Sequence, residues 1–441
     1  MRVFEILRLV SQRSPLLPIF LIVLVDVLGF TIVIPLLGLY AEKFHATPLV
    51  ATTLVSVYAA CSLLSTPVIG RLSDQYGRKP LLMISQAGTC LGFVMLGFSN
   101  SLWMVFAGRI LDGLTAGNLS IAQAYISDHT APENRAKAFG VIGVAFGIGF
   151  MFGPLLGGWL SRSHGMHMPF IVAAGLSLCS IFATYKLLPK EPPRGEPASS
   201  EPGAGKSADA APGGQRPGAF DFGTYALFFR RPGLLALYAQ FFLFSFAFSC
   251  FTSGFALFAE RRFKTADGQP WGGYEVGLLF GYLGLLGIIL QGGLLGRLVK
   301  RFGEFNLTVA GFLACAIAYV CVGLSNELTL LVTAATISSF GNGVLRPVIT
   351  SRLTQAVGRH EQGVAIGISG SLSSFAMMLA PPTGGAMLEN RWLLAWTLVP
   401  ATVVTLGLLA TLAAPRPPAA PQPPAAPRPP AEDAAAAPPA A

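Results

Sequence analysis

The sequence predicts an all-α integral membrane protein with twelve transmembrane helices in two pseudo-symmetric six-helix bundles. Of the 441 residues, 53% are hydrophobic and only 12% are charged, which is too few charges to give several soluble domains their polar surfaces. The apolar residues come in blocks long enough to cross a bilayer. Two motifs also recur in the second half of the chain at nearly the same offset.

The apolar blocks are predicted to be helices. A backbone in lipid must satisfy its own hydrogen bonds, and these blocks are too long and too uniformly apolar for barrel strands. The predicted spans are 16–40, 48–69, 80–99, 102–124, 138–160, 168–188, 233–258, 275–296, 306–325, 329–349, 363–387 and 392–413.

The basic residues predict the orientation of the chain in the membrane. Only six of the 30 lysines and arginines lie on one side of the spans, and nearly all the others lie in the N-terminus, the even-to-odd loops and the C-terminal tail. By the positive-inside rule both termini are expected in the cytoplasm. The expected location is a plasma membrane, the bacterial inner membrane, which the chain crosses several times. The six are Lys43, Arg162, Arg261, Arg262, Lys264 and Arg391.

Composition divides the chain into four parts. An N-terminal six-helix bundle is predicted at 1–188 and a C-terminal bundle at 233–414. Between them, 189–232 begins with a stretch rich in Pro, Gly, Ala, Ser and charge, a composition typical of a disordered cytoplasmic linker. Residues 415–441 are almost entirely Pro and Ala and predict a disordered tail.

Several function classes are excluded by the same pattern. No basic stripe with interleaved aromatic residues predicts nucleic-acid binding, and the six cysteines lie in apolar segments without metal-ligand spacing. The spans contain no nucleophile and base pair that would predict an enzyme. We therefore expect no cofactor and no metal, and a monomer whose partners are the lipid bilayer, a small-molecule substrate and protons.

The two halves of the chain are related in sequence. GRLSDQYGR at 70–78 matches GRLVKRFGE at 296–304 with an offset of 226, and GPLLGG at 153–158 matches APPTGG at 380–385 with an offset of 227. Recurring glycine turns do not explain a shared offset. The match predicts a duplicated six-helix unit, with the halves related by an axis along the membrane normal and a site between them near the midplane.

The short loop after the second span carries a candidate gate. Asp74 and Arg78 can form charge-assisted hydrogen bonds between helix ends, and in the related loop Lys300 and Glu304 exchange these charges. We expect a charge network that closes the cytoplasmic side in one conformation; an ordinary positive loop is the alternative. The gating residues in this loop are Gly70, Asp74, Gly77 and Arg78.

Three charged residues are predicted to lie deep in the first half. Asp26 is about ten residues into the first span, and Arg109 and Asp112 share a face of the fourth at spacing i, i+3. A charge near the bilayer centre costs roughly 2.5 to 3.5 kcal/mol, so each needs a partner or water. Movement of Arg109 relative to Asp26 or Asp112 would couple transport to a proton; a static ion pair is the alternative.

The fifth span carries a second candidate gate. Gly149, Gly153 and Gly157 recur every four residues and leave a stripe on which another helix can pack closely. Pro154 removes an internal hydrogen bond and bends the helix, and Gly158 follows. The pattern predicts a seam on the extracellular side about which the halves rock, with simple packing as an equal alternative.

Polar residues inside other spans are candidate substrate contacts, although any one of them could merely hydrogen-bond a neighbouring helix. Arg346 is the only deep charge candidate of the second half, where it would face an anionic substrate or a lipid headgroup. The polar candidates are Asn118, Gln123, Gln240, Gln291 and Asn342.

Five segments together carry a family resemblance. The loop 70–79 resembles the signature between helices two and three of the major facilitator superfamily of secondary transporters. Residues 106–117 resemble its fourth-helix Arg and Gly signature, and 149–158 its fifth-helix motif of proton-coupled antiporters. Residues 26–35 and 125–135 are similar to the tetracycline-efflux branch of drug/proton antiporters.

The resemblance implies a secondary transporter that exports a small amphipathic, drug-like compound in exchange for protons by alternating access. A metabolite or sugar carrier, or a receptor or scaffold that has lost transport, are the alternatives. The chain departs from the family at Gln75, where a basic residue is common. Tetracycline pumps are expected to have an acid deep in a span of the second half, and this chain has none there. The acids there, all at span ends or in loops, are Glu260, Glu275, Glu304, Glu327, Glu361 and Glu389.

Overall fold

The computed structural model describes residues 16–130, 135–189, 228–358 and 361–413, and in these ranges the chain forms helices and no β-strand. Most of the predicted linker and the whole predicted tail lie outside the described residues. The first half contains α1 Leu16–Glu42, α2 Pro48–Tyr76, α3 Arg78–Gly97, α4 Leu102–Leu114, α5 Asn118–His129, α6 Arg135–His164 and α7 Met168–Leu187. The second half contains α8 Pro232–Arg262, α9 Gly273–Ile289, α10 Leu295–Leu324, α11 Leu328–Gln355, α12 Gln362–Glu389 and α13 Leu393–Ala413.

The helices confirm the all-α membrane fold. Among the described residues, ten stretches are long and apolar enough to cross a membrane. One of them, Gly273–Leu324, is 52 residues long and contains both the predicted eighth and ninth spans. The predicted fourth span, 102–124, is missing from the ten because α4 and α5 are each too short. The arrangement is consistent with twelve crossings.

The two related loops have the same backbone conformation, as a duplicated unit requires. Gly77, between α2 and α3, has φ 94° and ψ 154°. Gly303, which lies 226 residues later inside α10, has φ 75° and ψ 158°. A positive φ strains any residue with a Cβ atom, so glycine is needed at both turns. The label α10 therefore covers two helices that meet at Gly303.

The fourth span is not one helix, and the prediction of a continuous helix over 102–124 is wrong. The helix is interrupted at 115–117, between α4 and α5. A break at membrane depth is tolerated where neighbouring side chains satisfy the freed carbonyl groups. Here hydroxyl groups of α2 and α3 do so: Ser65 donates to the carbonyl of Gly113 (2.7 Å), Thr66 to that of Ala116 (3.0 Å) and Ser85 to that of Thr115.

The eighth span is also irregular. Between α9 and α10 the chain passes through a π-helical turn, Leu290–Leu294. Such turns are rare and occur often at functional sites. The turn contains Gln291, one of the predicted substrate contacts, and its side chain is exposed.

Among the described residues, the contacts between the two halves run from one end of the molecule toward its middle. We call the end bearing loops 43–47 and 263–272 the closed end, and the end bearing Gly77 and Gly303 the open end. The halves meet along α6 with α9, α2 with α12, and α1 with α8. At the closed end, a Cβ atom added to Gly158 of α6 would lie 2.6 Å from a carbonyl oxygen of α9. Toward the open end, one added to Gly143 of α6 or Gly287 of α9 would meet no atom within 4 Å.

Candidate functional site

A buried ion pair lies in α4. Arg109 Nη1 donates a hydrogen bond to Asp112 Oδ2 at 2.8 Å, and the two residues are only 2% and 3% exposed. The guanidinium carbon lies 4.3 Å from the ring centre of Tyr58 in α2, a cation–π contact. The partner of Arg109 is therefore Asp112, on the same helix, and not Asp26.

Asp26 occupies a separate polar position between α1, α3 and α7. Its Oδ2 accepts a hydrogen bond from Gln86 Nε2 at 3.4 Å, and its Oδ1 is buried without a hydrogen-bond partner. Among the described residues no basic side chain forms an ion pair with it. A buried carboxylate that no cation balances is costly, and a proton would remove its charge.

Gln86 organises this position, although the sequence analysis did not select it. It is fully buried, donates to Ser180 Oγ at 2.7 Å and accepts from Thr184 Oγ1 at 2.9 Å, both in α7. Further along α3, a Cβ atom added at Gly92 would lie 3.0 Å from the Cβ atom of Asp112. Helix α3 therefore contacts both acids. The signal was available, because Gln86 is an amide inside an apolar span.

The predicted substrate contacts do not form one cluster. Asn118 and Gln123 are half-buried on α5, in the first half, and the other three lie in the second half. Gln240 is fully buried and accepts a hydrogen bond from Arg352 Nη1 at 3.3 Å. Asn342 is half-buried and donates to Ser338 Oγ at 2.9 Å. Only Gln291 is exposed, and a substrate role stays a prediction for all five.

The loop after α2 contains the predicted charge network. Arg78 lies 2.5 Å from Asp74 and donates to Asp128 Oδ2 at 3.0 Å and to Ser73 Oγ at 2.6 Å. All of these partners belong to the first half, so the network ties α2, α3 and α5 together within one bundle. It is intact while this end is open, and its role as a gate stays a prediction.

The related loop of the second half repeats this arrangement with the opposite charge. Glu304, in the position of Arg78, accepts hydrogen bonds from Ser351 Oγ at 2.6 Å and Gln355 Nε2 at 3.0 Å, both near the end of α11. Nearby, Arg231 and Glu361 form two hydrogen bonds of 2.9 and 2.8 Å. These bonds from Arg231 lower the pKa of the Glu361 carboxyl.

Replacing Arg78 with glutamine should destabilise the first bundle. Arg78 is nearly buried, and the change removes its charge-assisted hydrogen bonds to Asp128 and Ser73. We expect the free energy of unfolding to fall by about 1 to 3 kcal/mol, measured as a lower thermal midpoint of the purified protein. The matched control is Arg71→Gln, which removes an exposed arginine seven residues earlier. Equal midpoints for the two variants would contradict a structural role for the network.

The glycine stripe of the fifth span packs within its own half. Cβ atoms added at Gly149, Gly153 and Gly157 would meet α1, as close as 2.5 Å for Gly149 and 2.7 Å for Gly157. The contact with the other half lies on the neighbouring face, where a Cβ added at Gly158 would reach α9 and one added at Gly277 would collide with the carbonyl oxygen of Pro154. The stripe thus fixes α6 on α1, and Pro154 and Gly158 touch the second half.

An ion pair and a hydrogen bond that the sequence analysis did not foresee join the halves at the closed end. Arg261, at the end of α8, lies 2.5 Å from Glu42 at the end of α1. Thr47 donates to Glu389 Oε2 at 3.0 Å, which links the start of α2 to the end of α12. These contacts depend on which helix ends the fold brings together, so no local sequence pattern reveals them.

A model of the Major Facilitator Superfamily matches residues 19–328 and 293–438, which together cover most of the chain. The chain belongs to this superfamily. It is therefore a multi-pass membrane protein with a transporter fold, and the predicted resemblance is confirmed.

Several relatives of this chain are bacterial resistance proteins. The chain is 28% identical over 369 residues to the tetracycline resistance protein, class B, of Escherichia coli, covering 82% of this chain and 85% of that protein. It is 26% identical over 368 residues to multidrug resistance protein 1 of Bacillus subtilis, covering 82% and 86%. Among solved structures, the human organic anion transporter MFSD10 has the same fold, with a TM-score of 0.68 and 22% identity over 91% of this chain and 99% of that one.

Proposed function

We propose that this protein exports small amphipathic compounds across a plasma membrane in exchange for protons, by alternating access of a site between its two halves. The proposal rests on the difference between the two ends of the molecule. Among the described residues, helices of the two halves are in contact at the closed end, whereas a Cβ atom added at Gly143 or Gly287, toward the open end, would meet no atom within 4 Å. Two bundles that separate at one end at a time can pass a solute without opening a continuous pore.

The positive-inside rule places the open end in the cytoplasm. The described conformation would then be the one that takes up substrate from inside the cell. Export requires the closed-end contacts to break and the open end to close. The predicted gating residues of loop 70–78 lie where closure would occur.

The exchanged proton is assigned to Asp26. Protonating Asp112 would break its 2.8 Å ion pair with Arg109, whereas Asp26 has no ion pair to lose within the described part of the chain and has a buried oxygen without a hydrogen-bond partner. In this assignment Asp112 and Arg109 hold α4 and α2 together. The negative charge of Asp112 acts on the Asp26 carboxyl across α3. The named relatives, tetracycline and multidrug resistance proteins, support a drug-like substrate.

The remaining parts of the proposal concern chemistry, oligomeric state and location. No chemical reaction is needed for exchange, so the protein is not an enzyme and uses no cofactor. One chain contains both halves of the site, so a monomer is sufficient. Both termini are cytoplasmic, and the membrane is the bacterial inner membrane.

The test is pH-gradient-driven accumulation in liposomes that contain the purified protein. Vesicles with an acidic interior are given labelled lipophilic compounds: tetracycline, ethidium, and neutral and anionic aromatic compounds. Antiport predicts accumulation of at least one compound above the level in protein-free vesicles, and its loss when the gradient is collapsed. Gradient-independent equilibration of a compound would indicate a facilitative carrier instead, and no transport of any compound would indicate a receptor or scaffold.

A further inference from the structure

Arg346 is an arginine of the second half whose charge nothing in the described structure balances. It lies on α11, about nine residues from the end of that helix. Among the described residues it forms no ion pair, and its side chain donates no hydrogen bond. An arginine inside a membrane bundle is costly unless water or an anion compensates it. The acids of this half lie at helix ends or in loops and do not reach it.

The side chain of Arg346 faces the interior of the protein. Ser339, two turns earlier on the same face of α11, donates to the carbonyl of Leu283 in α9 at 3.3 Å. The exposed Thr333 lies roughly 140° away around the helix. The neighbours of Arg346 on this face of α11, Ser339, Ile349 and Leu353, are buried, yet the side chain of Arg346 is exposed. It therefore reaches a solvent-accessible space within the bundle.

A second donor, for which the described part of the chain offers no hydrogen-bond acceptor, lies beside it. Gln291 is exposed on the π-helical turn of the eighth span. A Cβ atom added to Gly343, one turn before Arg346, would lie 3.8 Å from Gln291 Nε2. The absence of a side chain at Gly343 lets this amide approach α11 next to the arginine.

We propose that Arg346 and Gln291 form a subsite for the anionic group, a carboxylate or sulfonate, of an amphipathic aromatic substrate that enters from the open end. The inference rests on the proposed transport function and names its substrate class. A guanidinium offers two parallel donors that match the two oxygens of a carboxylate, and the amide adds a third donor. The occupant is a soluble amphipathic anion rather than an anionic lipid headgroup.

The experiment compares ligands that differ only in charge. Equilibrium binding is measured for radiolabelled 2-naphthylacetate and its neutral amide, and for a panel of other aromatic carboxylates and sulfonates with neutral counterparts. The full chain is held in nanodiscs of zwitterionic lipid. We expect the wild type to prefer the anion, and Arg346→Gln to lose roughly tenfold or more of the affinity for it while amide binding stays unchanged.

Two further variants separate charge recognition from folding. Arg346→Lys keeps the charge but loses the paired donors, so its affinity for the anion should be intermediate. Arg230→Gln removes an exposed arginine outside the spans and should bind both ligands like the wild type. The proposal is overturned if no anion of the panel is preferred by the wild type, or if Arg346→Gln retains the preference.

Lipid and transport measurements give the remaining outcomes. If Arg346→Gln changes only the protein's stability, and only in nanodiscs that contain phosphatidylglycerol, the occupant is a lipid headgroup and the proposal is wrong. Charge-selective binding without gradient-driven accumulation would support this subsite and contradict proton antiport. Gradient-driven accumulation without Arg346-dependent selectivity would support antiport and contradict the subsite.

Discussion

Replacing Asp26 with asparagine should abolish pH-gradient-driven accumulation in proteoliposomes and leave exchange of substrate between the two sides intact. Asparagine has nearly the same shape and can still accept the hydrogen bond from Gln86. Its amide does not ionise at neutral pH and can neither bind nor release the coupling proton, so the gradient can no longer drive transport. We expect accumulation to fall to the level of protein-free vesicles, while counterflow of labelled against unlabelled substrate continues.

Two controls show whether this effect comes from the proton site. Asp267→Asn makes the same chemical change on an exposed loop at the closed end and should transport normally. Asp112→Asn leaves Arg109 buried without its carboxylate, so its main effect should be lost stability, by about 3 to 5 kcal/mol for a broken buried pair. Gradient-driven accumulation that persists in Asp26→Asn would remove Asp26 from the mechanism.

Replacing Gly158 with valine should hold the closed end apart and stop transport. A Cβ atom at this position would lie 2.6 Å from the carbonyl oxygen of Gly273 and 3.0 Å from the Cα of Tyr274, both backbone atoms of the other half. Backbone atoms cannot move aside as the end of a flexible side chain can. The halves must therefore separate at this end, and the described conformation becomes inaccessible.

The measurement is the distance between spin labels at Lys43 and Ala266, exposed residues on opposite halves at the closed end, in a chain whose native cysteines have been replaced. The distance should be longer in Gly158→Val than in the parent, and transport should be at background. Gly175→Val is the matched control, because a Cβ at Gly175 meets nothing within 4 Å. An unchanged distance together with normal transport would show that the closed-end contact is incidental.

Much of the fold could be predicted because its signals are local. A span is recognisable from about twenty apolar residues, and the duplicated unit from two motifs with a common offset. The positive φ at both Gly77 and Gly303 agrees with that duplication. The i, i+3 spacing of Arg109 and Asp112 likewise placed them on one face, where they form an ion pair.

The features that the sequence did not reveal depend on contacts between distant segments. The break at 115–117 is stable only because hydroxyl groups of α2 and α3 satisfy its carbonyls. The role of Gln86 follows from the packing of α7 and α1 against α3. The glycine stripe predicted close packing with another helix, but it did not identify that helix, which is α1.

The most direct test of proton-coupled export is a measurement of proton release. The purified protein is reconstituted in liposomes that contain a pH-sensitive dye, and lipophilic compounds are added to wild type and Asp26→Asn without an imposed gradient. The account predicts a pH change inside the vesicles on addition of a transported compound to the wild type, and none with Asp26→Asn. A transported compound that moves without any pH change in the wild type would contradict it.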